Sequence, residues 1–340
     1  MSEITIEFFG VRGSIPAPMG GSREKDKHNH LGREFDRQKS ESPSLTWDEF
    51  LTSREQHEYF TYGGNTSCVF IRCGGHNIIC DMGSGIRELG QRLIPIAIKD
   101  RGIKLWVLVS HTHWDHIQGF PFFAPAYINQ ETGVRNEIVA FGGTNWTKDV
   151  EYCLKNQMDN RAVFPVDFEE LRTTLAKLEG NSVHNMKSID GIEGIKIRTL
   201  KLDHPQETYG YRIEHEGKTI VYATDNEPRD PRRPHPNLLA LSKKADILVI
   251  DCQYTYEMYH GIINGQITDF TKYGWGHSYP EAVAQTAHDA EVKTVVLFHH
   301  DPTSSDEAIK KMEETTQRLI KDLGGKSKVV AASEGMTLSV

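Results

Sequence analysis

Short runs of apolar residues alternate with polar, glycine-rich turns along most of this chain. The runs are rich in valine, isoleucine and aromatic residues, which is typical of β-strands. Two of them are separated by a turn containing Gly74 and Gly75, which predicts a β-hairpin. The predicted strands cover residues 4–9, 68–72, 76–81, 106–110, 137–142, 195–201, 209–215, 219–223, 247–250 and 292–298.

Apolar residues at helical spacing separate several of these strands. Strands therefore come first, a helix follows and strands resume, a pattern that favours sheet packed on sheet with helices on the outside. We expect an α/β fold, an αββα four-layer sandwich, formed by residues 1–340 as a single domain. The predicted helices cover residues 46–58, 86–93, 149–158, 167–178 and 279–290.

Residues 20–60 interrupt this pattern, because they are polar and charged and contain few aliphatic side chains. We interpret them as a surface insertion that is partly helical over residues 46–58, where Trp47 and Phe50 can share one apolar face with Tyr59. A lid, a contact between subunits and a flexible segment without a role are all open interpretations of this insertion.

The stretch after the fourth predicted strand carries the most specific chemistry in the chain. Four residues within six positions can bind a metal ion, namely His111, His113, Asp115 and His116. Because side chains alternate along an extended segment, His111 and His113 point to the same side and can reach one ion. Asp115 and His116 then face a second point nearby, which is the arrangement that a two-metal site requires.

Other apolar strands also end close to residues that bind metals. Asp225, Asp251 and the pair His299 and His300 each come shortly after an apolar run, and His204 follows another. Strands that end at one edge of a sheet can bring their terminal side chains together on a rigid backbone. The recurring His or Asp at strand ends therefore predicts one shared site.

Composition narrows the class of partner. The formal net charge is −8, and lysine and arginine form no cluster longer than pairs such as Arg232-Arg233. This argues against broad nucleic-acid binding and favours a small substrate. Five cysteines without C-x-x-C spacing are interpreted as reduced packing residues. No signal-peptide pattern and no apolar stretch long enough to span a membrane is present, so a soluble cytoplasmic protein is expected.

With these residues in view, the chain resembles a known superfamily. The His-x-His-x-Asp-His pattern at 111–116 is the signature of the metallo-β-lactamase superfamily of metal-dependent hydrolases, and the resemblance covers nearly the whole chain outside the insertion. The chain is most similar to the phosphodiesterase branch, which includes ribonuclease Z, phosphoribosyl cyclic phosphodiesterases and cyclic-nucleotide phosphodiesterases. The motifs that carry this second likeness are Gly13-Ser14-Ile15-Pro16, Gly64-Asn65-Thr66-Ser67, Tyr209-Gly210-Tyr211 and Gly276-His277-Ser278.

The resemblance implies a pair of divalent metal ions and, by analogy alone, a homodimer. Ligands that are all nitrogen or oxygen suit zinc and leave manganese or iron open. As alternatives, His204 can be a surface-turn histidine and Asp225 a turn cap. For the last ligand, His299 is preferred to His300 because it matches the position of the family histidine. The implied ligands are His111, His113, His204 and Asp225 for metal 1, and Asp115, His116, Asp225 and His299 for metal 2.

The resemblance also implies catalytic residues. Two such ions lower the pKa of a water between them, so that hydroxide is available to attack phosphorus. Asp115 can orient that nucleophile. His277 matches a family histidine that meets the scissile phosphate and can stabilise its charge or protonate the departing alkoxide, with helix capping or packing as the alternative role. Contacts to the substrate are assigned to Asn65, Thr66, Ser67 and Ser278, although turns of this composition are common without function.

The spacing of His204 and Asp225, which lie 21 positions apart, bears on the substrate. Ribonuclease Z enzymes of the bacterial type place a long tRNA-binding arm between these ligands, and this chain has no room for it. The expected activity is therefore hydrolysis of a small cyclic phosphodiester, a cyclic nucleotide in the first place. The alternatives are a phosphoribosyl 1,2-cyclic phosphate phosphodiesterase, a ribonuclease Z-like RNA hydrolase, a lactonase or thioesterase, and a metal-bound binding protein without catalysis.

Overall fold

The computed structural model describes residues 3–54, 56–128, 133–142, 150–162, 164–171, 174–177, 187–189 and 192–340. Its strands are β1 (Thr5–Gly10), β2 (Cys68–Cys73), β3 (His76–Cys80), β4 (Lys104–Leu108), β5 (Glu137–Phe141), β6 (Thr174–Lys177), β7 (Lys187–Ile189), β8 (Lys196–Lys201), β9 (Tyr209–His215), β10 (Lys218–Ala223), β11 (Ile247–Asp251), β12 (Ile262–Ile263), β13 (Gln266–Ile267), β14 (Thr294–Phe298), β15 (Lys328–Ala331) and β16 (Thr337–Ser339). Its α-helices are α1 (Gly21–Glu41), α2 (Trp47–Thr52), α3 (Gln56–Tyr59), α4 (Ile86–Lys99), α5 (Trp114–Ile117), α6 (Val150–Met158), α7 (Pro236–Ser242), α8 (Tyr256–His260), α9 (Pro280–Asp289) and α10 (Asp306–Asp322).

The strands form two seven-stranded sheets and a small separate hairpin. The first sheet has the order β16-β1-β2-β3-β4-β5-β6, and the second has the order β15-β14-β11-β10-β9-β8-β7. Strands β3 to β6 run parallel in the first sheet, as do β10, β11, β14 and β15 in the second. Because parallel strands end at the same edge, the residues that follow β3, β4, β10 and β14 can meet at a common rim.

The two sheets face each other across a shared apolar core. Phe8 of the first sheet packs on Phe298 of the second with ring centroids 6.1 Å apart, and Phe141 packs on Tyr211 at 6.0 Å. Helices α4 and α6 cover the outer face of the first sheet, and α7, α9 and α10 cover the outer face of the second. The predicted αββα four-layer sandwich is therefore confirmed.

The predicted strands agree well with the observed ones. Each of them is present, with its ends within about two residues of the predicted ends. The hairpin turn between β2 and β3 is also as predicted, with Gly74 and Gly75 both at positive φ (55° and 80°). Apolar runs bounded by turn residues were therefore a reliable signal, since most of these strands are buried on both faces.

Two helix predictions need correction. The predicted helix at 167–178 is wrong, because a short 3₁₀ turn at Phe168–Glu170 is followed by strand β6, which extends the parallel part of the first sheet beside β5. Helix α4 is longer than predicted and continues through Pro95, which costs one backbone hydrogen bond. Its buried residues on both sides of the proline, Leu93 and Ala97, keep it packed on the sheet.

The insertion contains a long helix that sequence periodicity did not predict. Helix α1 has 21 residues, and only Leu31 among them is buried, so the apolar stripe that identifies a surface helix is almost missing. It is held to the rest of the protein by an ion pair between Lys27 and Asp306, with Nζ and Oδ2 2.7 Å apart. The predicted helix at 46–58 is observed as α2 and α3, with Phe50 fully buried.

Within the described ranges no helix is both long and apolar enough to cross a membrane. The five cysteines are all free, and four of them are buried.

Candidate metal centre

The predicted ligand residues meet at the rim between the two sheets. The connection from β4 to α5 carries the His-x-His-x-Asp-His residues, His204 follows β8, and Asp225 and His299 follow β10 and β14. His111, His116, Asp225 and His299 are almost completely buried. Buried imidazoles and carboxylates must be paired or bind a metal to offset the cost of leaving water.

The backbone at this rim adopts an unusual conformation. Ser14, Asp81, Asp225 and His299 all have positive φ, between 47° and 62°, which is uncommon for residues other than glycine. Such strain costs about 1–3 kcal/mol per residue and persists only where the surrounding structure enforces it. Asp81 and His299 directly follow the last residue of a strand, and Thr224 alone separates Asp225 from the end of β10. The left-handed conformation at each of these positions therefore fixes where the side chain points.

Four donor atoms form a first cluster. His113 Nδ1 lies 2.9 Å from His111 Nε2 and 3.1 Å from His204 Nε2. Asp225 Oδ2 lies 3.6 Å from His111 Nε2 and 3.8 Å from His204 Nε2. Ligand atoms about 2.0–2.2 Å from a common tetrahedral centre lie about 3.3–3.6 Å apart, so this cluster has the dimensions of one divalent-metal site.

A second cluster lies on the other side of Asp225. His116 Nε2 is 3.3 Å from both Asp115 Oδ2 and Asp225 Oδ1. His299 Nε2 is 3.1 Å from Asp115 Oδ2 and 3.3 Å from Asp225 Oδ1. These separations also match the edges of a tetrahedral site. Asp225 thus turns one oxygen to each cluster, as a carboxylate that bridges two cations does.

The protein alone leaves one of these atoms unsatisfied. His116 Nε2 is buried and, among the described residues, makes no hydrogen bond of acceptable geometry, although two carboxylate oxygens lie 3.3 Å away. An unsatisfied buried nitrogen costs about 1–3 kcal/mol. A cation between His116 and these oxygens would remove that cost, so the donor set fits a metal ion.

Protonation at the first cluster also suits a metal ion. Burial lowers the pKa of His111 well below its ordinary value, lowers that of His113 to about 4, and lowers that of His204. The three imidazoles are therefore neutral at pH 7. A neutral imidazole keeps the lone pair that a metal ligand must offer.

The second cluster attracts positive charge. Burial disfavours the charged ring of His116, but the carboxylates of Asp115, Asp225 and Asp81 outweigh it and raise the pKa of His116 well above its ordinary value. Burial also disfavours a charged Asp225, yet the neighbouring imidazoles, His299 first, hold its pKa well below the usual range. Asp115, whose pKa is likewise held well below the usual range by His116 and His299, and Asp225 are therefore ionised, and a divalent cation would supply the charge they attract.

Hydrogen bonds at the outer ring nitrogens orient these imidazoles. His204 Nδ1 donates to the carbonyl oxygen of Gly276 (3.0 Å), and His299 Nδ1 donates to Oε1 of Gln253 (2.8 Å). Because a carbonyl oxygen can only accept, each ring carries its proton on Nδ1 and turns the lone pair of Nε2 toward the clusters.

Asp81 organises the base of the site in the same way. It is completely buried, and its Oδ2 accepts hydrogen bonds from His116 Nδ1 (2.7 Å), the Ser110 hydroxyl (2.8 Å) and the Tyr222 hydroxyl (2.7 Å). Its Oδ1 accepts the backbone N–H of Ser110 at 2.7 Å. One carboxylate therefore sets both the proton position of His116 and the backbone that leads into His111.

Asp81→Asn is expected to weaken metal binding about 10- to 100-fold, the usual effect of losing a carboxylate that supports a ligand histidine. In asparagine, an NH₂ group replaces one carboxylate oxygen of Asp81, and it would face groups such as Ser110 that themselves donate hydrogen bonds. Binding of Zn²⁺ to the metal-free protein, measured by competition with a chromogenic chelator, checks this. Asp246→Asn is the matched control, because Asp246 is also buried but accepts from Thr219 and Lys293 at the other end of the second sheet. Equal affinities in Asp81→Asn and the control would contradict the role of Asp81.

Two motif glycines are required by close approach to the ligand rings. Gly276 has a φ of 88°, and a Cβ there would lie 2.0 Å from His204 Nδ1. A Cβ on Gly13 would lie 2.5 Å from Cε1 of His299. The neighbouring Ser14 donates its backbone N–H to Asp115 Oδ2 at 2.8 Å. The loops that contain these glycines therefore form walls of the site.

The four predicted substrate residues are buried or hydrogen-bonded within the protein, and their contact with a substrate stays a prediction. The side chain of Asn65 is held by Glu334 and Ser84. The hydroxyl of Thr66 accepts from Ser84 N and from Gln118. Ser67 is completely buried, and Ser278 is buried and borders a small cavity near α7 and α9. The side chains of Asn65 and Thr66 therefore link their loop to the segment after β3.

His277 lies beside both clusters. Its Nδ1 is 2.8 Å from Asp251 Oδ2, and its ring stacks on that of His299 with centroids 5.0 Å apart. Burial disfavours its charged form, but Asp251 outweighs this and raises the pKa of His277 to about 9. Its Nε2 has no protein partner in the described part of the chain, which leaves that nitrogen for a ligand.

His299 and His300, the two candidates for the last ligand, point in different directions. His299 faces the second cluster, whereas His300 Nε2 bonds to the carbonyl oxygen of Ala332 at 2.9 Å and its ring packs against Tyr62. Burial lowers the pKa of His300 to about 3, so it is a neutral core residue.

Two supporting residues were missed in the sequence. Asp81 ends the strand that precedes α4, so the pattern of an acidic residue at a strand end was available to find it. Gln253, which orients His299, has no such signal, because a glutamine just beyond β11 is indistinguishable from an ordinary loop residue.

Comparison with known proteins adds family information to this geometry. The family model described as the beta-lactamase superfamily domain matches residues 76–300. A ribonuclease Z from Mycobacterium sp. (strain KMS) is 25% identical over 248 residues, which is 69% of this chain and 77% of that protein. A ribonuclease Z from Mycobacterium bovis (strain BCG) is 26% identical over 240 residues, which is 69% of this chain and 79% of that protein.

Solved structures share the fold over essentially the whole chain. The metallo-beta-lactamase fold protein YhfI from Bacillus subtilis aligns over 100% of both chains with a TM-score of 0.59 and 14% identity. Human tRNase Z, short form, aligns over 99% of both with a TM-score of 0.58 and 15% identity. Unliganded yeast PDE1 aligns over 100% of both with a TM-score of 0.60 and 12% identity. At these identities the likeness concerns the fold alone.

Proposed function

The chain belongs to the beta-lactamase superfamily domain family, and from this premise we propose that it is a dinuclear metal-dependent phosphodiesterase that hydrolyses a small cyclic phosphodiester, a cyclic nucleotide in the first place. The observation that carries the proposal is the pair of donor clusters that share Asp225. The related enzymes support metal-dependent hydrolysis, and a cyclic nucleotide as the substrate is proposed in addition.

The proposed ligands divide into two sets. Metal 1 is assigned to the first cluster and metal 2 to the second. The donor set of imidazoles and carboxylates suits Zn²⁺, with Mn²⁺ or iron as alternatives. A cytoplasmic homodimer stays a prediction of the sequence. The proposed ligands are His111, His113, His204 and Asp225 for metal 1, and Asp115, His116, Asp225 and His299 for metal 2.

In the proposed mechanism the metal ions and the protein side chains have different roles. Two divalent cations supply a low-pKa water and neutralise charge on a phosphate group. Asp115 is fixed at the site because its Oδ2 accepts the backbone N–H of Ser14, and in this position it can also orient a water. His277 is held through Nδ1 by Asp251, so its Nε2 can donate a hydrogen bond or a proton to the phosphate or the departing alkoxide.

The connection between the two proposed metal ligands His204 and Asp225 supports a small substrate. It consists of β9 and β10 joined by a tight turn at Glu216 and Gly217, both at positive φ. No arm projects from this part of the described chain. The net charge of −8 likewise disfavours a broad grip on an RNA backbone.

RNA cleavage is the second candidate function, because the curated relatives carry the name ribonuclease Z. They are 25–26% identical to this chain over 69% of its length, which supports a related hydrolytic activity more than it supports RNA as the substrate. Phosphoribosyl cyclic phosphate, lactones and thioesters are further substrates for the same donor set, and a metal-bound protein without catalysis is the remaining alternative.

A substrate screen separates these candidates. The metal-loaded protein is expected to hydrolyse a 3′,5′- or 2′,3′-cyclic nucleotide at least about tenfold faster, by kcat/KM, than a precursor tRNA, because one compact phosphodiester fits between the clusters and His277. Product formation from cyclic nucleotides, phosphoribosyl cyclic phosphate, a lactone and precursor tRNA is measured side by side. Cleavage of the tRNA without turnover of any cyclic phosphodiester would overturn the proposed substrate class.

A further inference from the structure

A cavity next to the first donor cluster is lined by several aromatic rings together with charged side chains. It has a volume of about 560 Å³, within the range of about 300–1,000 Å³ found for small-molecule sites. The cavity, here called the tyrosine cavity, is bordered by Asp203, Glu227, Arg229, Tyr259, Tyr273 and Tyr279.

The tyrosine cavity shares a wall with the proposed site of metal 1. Asp203 directly precedes His204 in the chain. Glu227 accepts the backbone N–H of Gly276 at 2.8 Å, and the carbonyl oxygen of Gly276 bonds to His204 at 3.0 Å. A molecule with its phosphate at the clusters can therefore extend its remaining part over this wall into the cavity.

Three tyrosine rings line the cavity, and one of them is exposed to solvent. Tyr259 and Tyr279 are buried, with ring centroids 4.5 Å apart, and they form the floor. Tyr273 stands nearly perpendicular to Tyr259, with centroids 4.9 Å apart and an interplanar angle of 84°. More than half of Tyr273 is exposed, so its ring is available for stacking against a flat ligand.

Hydrogen bonds hold the polar groups beside the rings in fixed positions. Glu227 already accepts hydrogen bonds from the Tyr259 hydroxyl (2.7 Å) and from the backbone N–H groups of Gly274 and Gly276. Asp203 is paired with the guanidinium of Arg229. The cavity therefore places fixed hydrogen-bonding groups next to its rings, which suits a flat heterocycle with a polar edge. An ammonium group, which aromatic cages elsewhere bind, is the alternative occupant.

We propose that the tyrosine cavity binds the nucleobase of the substrate, and that Tyr273 determines the preference for phosphodiesters that carry a base. The proposal rests on the phosphodiesterase activity proposed above and names the group that this activity selects. A planar heterocycle stacks on Tyr273, and its polar edge meets Asp203, Arg229 and Glu227 at the mouth of the cavity.

The test compares two substrates that differ only in the base. One is 3′,5′-cyclic AMP, and the other is the same ribose cyclic phosphate with a methoxy group in place of adenine. Tyr273→Ala is expected to lower the ratio of their kcat/KM values about tenfold, the order of effect of losing one base–aromatic stack. Tyr273→Phe keeps the ring and should keep the ratio, and Ile98→Ala, an equally exposed apolar residue on α4, is the control on another surface.

A binding measurement on the metal-free protein keeps this inference separate from the proposed reaction. Calorimetric titration is expected to show tighter binding of AMP than of ribose 5-phosphate to the wild type, and loss of that difference in Tyr273→Ala. An unchanged difference in Tyr273→Ala, or binding of phosphocholine in preference to AMP, overturns the nucleobase assignment. If the wild type hydrolyses neither cyclic substrate yet shows the Tyr273-dependent preference for AMP, the nucleobase site stands and the proposed reaction fails.

Discussion

Asp225→Asn is expected to lower kcat/KM for a phosphodiester by about 1,000-fold or more, equivalent to about 4 kcal/mol of transition-state stabilisation. The reason is that Asp225 is the only described residue with one carboxylate oxygen in each donor cluster, Oδ2 toward His111 and Oδ1 toward His116. An amide keeps the shape but offers one neutral oxygen and one N–H donor, so one cluster loses a ligand and both lose negative charge.

Metal content is the measurement that checks this prediction. Mass spectrometry of the dialysed protein should find about two ions per wild-type chain and fewer than two in Asp225→Asn. Asp246→Asn serves again as the control, because it makes the same chemical change in a buried carboxylate that faces Thr219 and Lys293. Two retained ions together with unchanged turnover in Asp225→Asn would show that the carboxylate does not bridge a metal pair.

The local part of this site was predictable from sequence because its signals are local. The His-x-His-x-Asp-His segment combines an apolar strand with residues whose alternation fixes which side chains share a side. A His or Asp at a strand end likewise singled out Asp225 and His299, whereas His204 was assigned by the family resemblance. The sequence could not show which strand ends meet in space. Strands β3 and β4 belong to the first sheet and β10 and β14 to the second, so their ends come together only when the two sheets pack on each other.

Residues that support the site were harder to predict than the proposed ligands. Asp81 acts through His116 and Tyr222, which lie 35 and 141 positions away in the chain. The partner of His204 is a backbone carbonyl oxygen, which has no sequence signature at all. The Asn65-Thr66-Ser67 turn was assigned to substrate contact by the family resemblance, and this role stays a prediction. In the structure, the side chains of Asn65 and Thr66 join this turn to other loops.

The helix errors have a common physical origin. Helix α1 has only a narrow apolar face, and it is attached through contacts distant in sequence, namely the packing of Phe35 on Phe50 and the ion pair between Lys27 and Asp306. Strand β6 lies where residues 167–178 suggested a helix, because pairing with β5 outweighed local periodicity. In both places tertiary contacts override a weak local preference.

His277→Ala is expected to lower kcat about 100- to 1,000-fold while leaving metal content unchanged, within the usual effect of removing a general acid. The Nδ1 of His277 bonds to Asp251, 2.8 Å away, as that of His116 bonds to Asp81, and the His277 ring lies against that of His299. The side chain therefore stands beside the clusters, and its Nε2, which has no partner among the described residues, can donate to the substrate.

The leaving group distinguishes proton donation by His277 from mere packing. Bis(p-nitrophenyl) phosphate releases a stable anion that needs no proton, so His277→Ala should cost it much less than it costs an alkyl phosphodiester. His288→Ala, a partly buried histidine on α9, is the control. An equal loss with both substrates, accompanied by lost metal, would instead identify His277 as a structural support for His299. A selective loss with the alkyl ester would assign the proton to His277, because packing does not depend on the basicity of the group that leaves.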